Sequence, residues 1–483
     1  MSNRETMGKL RGRERGPGSG CLDRISALRR ASPVSSSAAV KAKLKAIEGS
    51  VVAPLGFRAS GVFCDIKRLG TGKGSDKGQK RDLTLIVSDV PCSVAGMFTT
   101  NQICAAPVKV CVSRVAKGIA QAVVVNSGNA NACTGKQGMK DALAMVRLTE
   151  KALGLKDGYA LVGSTGRIGV TMPFDNVKAG IAAAAPLLGR SVAHAAHSVE
   201  AIMTSDTRPK QVAVELKLGG KTVRIGGMCK GAGMIQPGMS ATGARPAALP
   251  AGLHATMLGF VTTDAAISAK ALQAALRETV AHSFNRITVD GDMSTNDTVL
   301  VLANGLAGNG KITSAKHEDF AAFAAALQHV CLELAKMIVR DGEGVHRVVT
   351  VRVTGARSVA DADAAARAVA NSSLVKTSWH GGDPNWGRII DAIGYSAATV
   401  VESKVDIGYS APGSRKILWS LQRGQPTKAT FKQLCAAAAP KEFDLHIRLN
   451  LGKGEALMYA ADLTEHYVEF NKGDVTDPTT LGG

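Results

Sequence analysis

At 483 residues the chain is long enough for one large domain or two ordinary ones, and 53 glycines against 4% aromatics suit closely packed layers of small side chains. The +20 net charge sits partly in residues 1–50, with eleven Lys/Arg against four Asp/Glu, and no RNP motif, zinc finger or aromatic-laced basic stretch accompanies it, which argues against nucleic acid as a partner. Nine cysteines without a C-x-x-C pair argue against zinc ribbons and redox dithiols, and no apolar run reaches the roughly 18 residues that cross a bilayer, so a soluble protein with no metal and no membrane partner is expected.

Residues 1–50 are rich in Arg, Ser, Gly and Lys without hydrophobic periodicity, and read as a disordered basic extension. Their composition is that of an organellar transit segment, although Glu5, Glu14 and Asp23 are untypical of one; a mitochondrial matrix location is expected, with the cytoplasm as the alternative. GTGKGSDKGQK (70–80) departs from the phosphate-loop spacing, which would place glycine where Lys67 stands, and reads as a solvated hairpin tip. AQAVVVN (120–126) is a buried strand running into a Gly/Asn-rich loop. DALAMVRLTEKALG (141–154), residues 269–284 behind a capping Ser268, and AAFAAALQHVCLELAKMIV (321–339) have apolar residues at helical spacing. VVTVRVTG (348–355) and FDLHIRLNLG (443–452) alternate as half-buried antiparallel strands do. Cys133 and Cys229 read as buried small hydrophobes. Helices interspersed with strands predict layered α/β packing.

HATMLGFVTTD (254–264) is the stretch with the most chemistry in it. A threonine after Ala255 can attack the preceding carbonyl through its hydroxyl and cut the chain. The freed α-amine of Thr256 then has a pKa near neutrality and can serve as base for the same hydroxyl. Around it stand VAGMFTTNQICAAPV (94–108), VVNSGNANACTGKQG (124–138), STGRIG (164–169), IMTSDT (202–207), KGAGMIQPGM (230–239), TVDGDMSTNDT (288–298), RDGEGV (340–345), NSSLVKTSWHGGDPNWGRIIDAIGYS (371–396) and GKGEALMYAADLT (452–464). In this order, from about residue 55 to 476, they resemble the ornithine acetyltransferase family, glutamate N-acetyltransferases of arginine biosynthesis that mature by cutting themselves before a threonine.

The resemblance implies an α-β-β-α sandwich with a smaller second α/β lobe towards the C-terminus. It divides the chain into the extension 1–50, an α chain 51–255 and a β chain 256–483, associated as α2β2. Acetyl would pass from N-acetylornithine to Thr256 and on to glutamate, with no cofactor; acetyl-CoA is a second donor in bifunctional members. Thr165 and Gly166 would form the oxyanion hole, and Thr204 (with Thr207 as fallback), Lys230, Glu343, Asn471 and Thr476 would contact substrate. One departure is SATGARPAALPAGLH (240–254), an insertion ahead of the cut that carries its own Ala241-Thr242. Thr256 is preferred because MLGFVTTDA follows it. An N-terminal-nucleophile amidase or aminopeptidase, an uncleaved inactive relative with a binding role, and a nucleic-acid binder resting on charge alone are the competing readings.

Overall fold

The structure is a computed structural model that describes residues 43–67, 80–244 and 257–472. Ala255, Thr256 and Thr476, most of the tip at 70–80 and most of the 240–254 insertion lie outside the described residues.

The N-terminal part begins with β1 (Lys45–Ala46), β2 (Phe57–Val62), β3 (Leu83–Phe98), α1 (Ala106–Val115), β4 (Ile119–Asn129) and α2 (Gly135–Leu153). Then come β5 (Ala160–Arg167), α3 (Phe174–Ala184), α4 (Val192–Ile202) and the hairpin β6 (Lys210–Leu218) and β7 (Lys221–Lys230). Gly219 and Gly220 close that hairpin with φ +51° and +79°, the paired positive angles that match the twist of its strands. β8 (Leu258–Thr263), α5 (Ala269–Ala281), β9 (Ile287–Thr288), β10 (Thr298–Ala303) and α6 (Phe320–Arg340) follow.

Among the described residues these strands form a nine-stranded sheet in the order β1-β6-β7-β8-β10-β3-β4-β5, with β2 also on β3. β3 serves both halves. Its start pairs with β2 and β4, its last six residues pair with β10, and the register shifts between Val87 and Cys92. Leu258, Phe260, Leu300 and Leu302 therefore share a core with Leu85, Val125 and Leu161, and with side chains of α1, α2 and α3. The alternate residues Val261, Val299 and Val301 pack with α5 and α6 in a second core. Helix, two facing sheet halves and helix give the expected α-β-β-α order. β8 and β10 are buried along their whole length, as central parallel strands covered on both faces are.

Two expectations need correction here. Residues 43–50, assigned to the disordered extension, include β1, which pairs antiparallel with β6, and the buried Ser50. α6 is by length and composition apolar enough to cross a membrane, although the run lengths had suggested no such segment. It is a core helix: Phe323, Leu327, Val330, Leu334 and Ile338 are fully buried, and it packs on α5, β6 and β7.

The C-terminal lobe holds β11 (Val348–Ala356), α7 (Val359–Asn371), α8 (Ser373–His380), α9 (Trp386–Gly394), β12 (Asp406–Ser410), β13 (Leu418–Gln422) and β14 (Gln425–Pro426). It ends with α10 (Phe431–Ala438), β15 (Glu442–Arg448), β16 (Gly454–Ala461) and α11 (Glu465–Asn471). Its seven strands run β14-β13-β12-β15-β11-β16-β9. β11 and β15 lie parallel to each other, and their antiparallel neighbours are β16 and β12. Each strand thus has the expected antiparallel neighbour on one side, while the parallel ladder between the two was not expected, since alternation fixes which face is buried but not the direction of a neighbour. β9 brings the chain segment just before β10 into this lobe's sheet.

Candidate active site

The ends of β4 and β5 come unusually close. Opposite Gly128 stands Gly166, at φ +126°, where an added Cβ would lie 2.3 Å from the Gly128 carbonyl carbon. Only glycine leaves room there. Beside it the Thr165 side chain is fully buried, and its hydroxyl has no hydrogen-bond partner among the described residues. Its neighbours are tightly tied. Ser164 Oγ donates to Asn126 Oδ1 at 2.6 Å, and Asn126 Nδ2 donates to the carbonyl of Asn129 at 2.9 Å. An orphan buried hydroxyl is unusual in a protein and calls for an explanation.

Lys230 ends β7, opposite Leu258 of β8, and Leu258 pairs on its other side with Thr298 of β10. The described chain of this strand resumes at Met257, whose buried N–H donates to Asp297 Oδ1 at 2.6 Å. Lys230 is 2% exposed, and burial lowers its pKa, working against the charge. Its Nζ lies 3.9 Å from Asp206 Oδ2. That same oxygen accepts the Thr204 N–H at 3.0 Å, while Oδ1 accepts Lys210 Nζ at 2.6 Å and Gly231 N–H at 2.7 Å. Burial opposes ionisation of Asp206, but Lys210, Lys230 and these donors outweigh it and hold the carboxyl well below the ordinary range.

Glu343 follows α6 and hydrogen-bonds back to the Lys230 loop, its N–H donating to the Ala232 carbonyl at 2.9 Å. Its carboxylate fills the space over Gly233, where a Cβ would sit 2.2 Å from Oε2. Burial raises its pKa, opposed by hydrogen bonds from Ser205 and Asn471 and by the charge of Lys230. Asn471, the last residue of α11, donates to Glu343 Oε2 at 3.0 Å.

The structure thus brings Thr204, Lys230, Glu343 and Asn471 together, and it places Thr165 and Gly166 at the end of the β4–β5 pair, which Asn296 ties to the start of β10. Thr207, the fallback for Thr204, instead donates its hydroxyl and N–H to Asp341, which also pairs with Lys210. Cys229 is buried as expected, whereas Cys133 is exposed at φ +56°, which corrects its reading as a core residue. Thr242, in the rival Ala-Thr pair, is exposed in a turn where its hydroxyl accepts the Ala244 N–H.

Two site residues carry no role in the sequence reading. Asp206 joins Thr204 to Lys230, and Asn296 donates through Nδ2 to the carbonyls of Ser164 and Ala130 at 2.8 and 2.6 Å. Both lie in quoted motifs, but the partners of Asn296 are more than 130 positions away, and Asp206 reaches Lys230 and Gly231 at the end of the far strand of a hairpin. Among the described residues one group, His346, His380 and Asp462, has metal-ligand composition, with ligand atoms within 4.8 Å of one another. The Arg347 guanidinium stands 3.2 Å from His346 Nδ1, and His380 pairs with Glu465 as well as Asp462. A fixed cation beside the cluster opposes a second one, and these contacts clasp the loop after Glu343 to the start of α11.

A family model described as the ArgJ family matches residues 59–474. The chain belongs to the ArgJ family. The arginine biosynthesis bifunctional protein ArgJ of Symbiobacterium thermophilum is 48% identical over 427 residues, 88% of this chain and 98% of its own. The Bacillus cereus protein of the same name is 41% identical over 424 residues, 88% of this chain and 96% of its own. A crystal structure of the Bacillus halodurans ArgJ is 43% identical, with a TM-score of 0.42, and covers 45% of this chain and 99% of that one. This ArgJ-family chain is accordingly an acyltransferase of arginine biosynthesis.

Proposed function

We propose that the chain cuts itself between Ala255 and Thr256 and then moves an acetyl group from N-acetylornithine to glutamate through an acetyl-threonine on Thr256. Thr256 Oγ attacks the acetyl carbonyl, and its own α-amine takes the proton. Ornithine leaves, and glutamate collects the acetyl group in the reverse sense. The observation that carries the reading is the fully buried, partnerless Thr165 hydroxyl at the close approach of Gly128 and Gly166. A tetrahedral oxyanion is the group that such a donor, together with the Gly166 N–H, would meet.

Lys230 and Glu343 divide the substrate's charges: the lysine faces a carboxylate, the glutamate an ammonium held in place by Asn471. Thr204 and Thr476 complete the contacts. Acetyl-CoA as a second donor and an α2β2 assembly belong to the same reading.

The test is a denaturing gel with mass spectrometry, run beside an acetyl-transfer assay. Fragments of 255 and 228 residues with a new terminus at Thr256, and N-acetylglutamate formed with ping-pong kinetics, are expected. Thr256→Ala should stay a single chain, whereas Thr256→Ser keeps a hydroxyl that can cut. A new terminus at Thr242 would refute the placement. Acetate released without N-acetylglutamate would favour an amidase.

A further inference from the structure

Asn296 and Asp297 sit side by side ahead of β10, and their side chains serve opposite parts of the site. Asn296 holds the carbonyl of Ser164, the residue before Thr165. Asp297 holds the N–H of Met257 through Oδ1 at 2.6 Å. Met257 directly follows Thr256 in the sequence, so the N–H held by Asp297 belongs to the first residue after the nucleophile. Asp297 is itself immobile: its carbonyl accepts the Thr99 N–H at 2.8 Å, and the next N–H, that of Thr298, donates to the Met257 carbonyl at 3.2 Å. The side chain is fully buried, and its second oxygen, Oδ2, has no hydrogen-bond partner among the described residues.

We propose that Asp297 is a positioning residue for the nucleophile, setting the place of Thr256 through the Met257 N–H in both self-cleavage and acetyl transfer. The proposal rests on the assignment of Thr256 given above. Burial pushes the Asp297 carboxyl well above the ordinary range, opposed by the Met257 N–H and the charge of Lys230. What places the nucleophile is the hydrogen bond that Oδ1 accepts from the Met257 N–H, whichever form the carboxyl takes.

The hydrogen bond to Met257 makes a sharp test. Asp297→Asn keeps an acceptor for Met257 and a donor on the second position, whereas Asp297→Ala keeps neither; Asp297→Ser, smaller but polar, serves if the alanine variant does not fold. In the full-length protein, Asp297→Asn should cut and turn over within a few-fold of the parent. Asp297→Ala or Asp297→Ser should cut slowly. Its matured fraction should lose about 10²-fold in kcat, the loss expected for a reacting atom displaced by about 1 Å, with KM for N-acetylornithine changed less than about twofold. Hydrogen exchange at the Met257 amide, read on mature protein, should speed up in the short variants and stay slow in Asp297→Asn. Parent-like kcat and cutting in the short variants would overturn the proposal, and so would an Asp297→Asn variant as impaired as they are. If the parent itself yields no terminus at Thr256, it is the nucleophile assignment that fails, and the Met257 exchange data still report whether Asp297 holds that amide.

Discussion

The roles proposed for Thr165 and Glu343 differ at the scale of single residues, and they separate in kinetics. A hydroxyl that meets only the tetrahedral oxyanion acts on the transition state, so Thr165→Val, tested on already cleaved enzyme, should lower kcat roughly 10²–10³-fold and leave KM nearly unchanged. A raised KM with kcat within about twofold would make Thr165 a ground-state contact. Glu343 has to be ionised to hold an ammonium, and burial raises its pKa above the ordinary glutamate value. A raised carboxyl pKa keeps the protonated, inactive form present to higher pH. The acid limb of kcat/KM should therefore fall at a pH above that of an ordinary glutamate. The Asn471 hydrogen bond favours the ionised form. Removing it in Asn471→Ala should move that limb higher still, which a pH–rate profile of the two proteins would show. An unmoved limb would take Glu343 out of the titration.

At the scale of strands and loops, the site depends on how closely β4 and β5 can approach. Gly166→Ala would place a methyl against the Gly128 backbone at a φ that L-residues rarely adopt, while Gly169, just beyond β5 at φ +79°, has nothing within 4 Å of an added Cβ. Gly169→Ala should cost about 1 kcal/mol from the backbone angle alone, and Gly166→Ala roughly 1–3 kcal/mol more for the forced contact, read from chemical denaturation of both variants. Equal costs would mean that the strand ends relax freely. The helices were legible in the sequence because their apolar spacing is what buries them, as with Phe323, Leu327, Val330 and Leu334 of α6. Ser268 was legible too, and its side chain accepts the Ala271 N–H. The parallel pairing of β11 with β15 was not, since a period of two carries no direction. Nor was the difference between Thr204 and Thr207, which comes from Asp341, more than 130 positions away in the chain. The work of Asn296 and Asp297 was hidden for the same reason: one reaches Ser164 and the other Met257, across 132 and 40 positions.

For the whole molecule, the decisive fact is where a cut before Thr256 falls in the nine-stranded sheet. It separates β7 from β8 along the chain, yet these two strands remain paired over six residues. Farther along the strand order, β10, from the second fragment, is paired over six residues with β3, from the first. β8 and β10 of one fragment thus sit between β7 and β3 of the other. The cores repeat the arrangement: Leu258, Phe260, Leu300 and Leu302 pack with Leu85 and Val125 on one face, and Val214, Ile225 and Cys229 pack with α5 and α6 on the other. Pulling the fragments apart would expose both cores and leave four strand edges unpaired in water. Cleavage should therefore leave the 255- and 228-residue pieces in one particle, seen in native mass spectrometry as one species that holds both pieces in equal numbers and as two bands only after denaturation. Once unfolded apart, the pieces should not regain activity singly, because neither holds Thr165 together with Asp297. Fragments that separate on a sizing column in native buffer would show that the β7–β8 and β3–β10 ladders do not hold the molecule together.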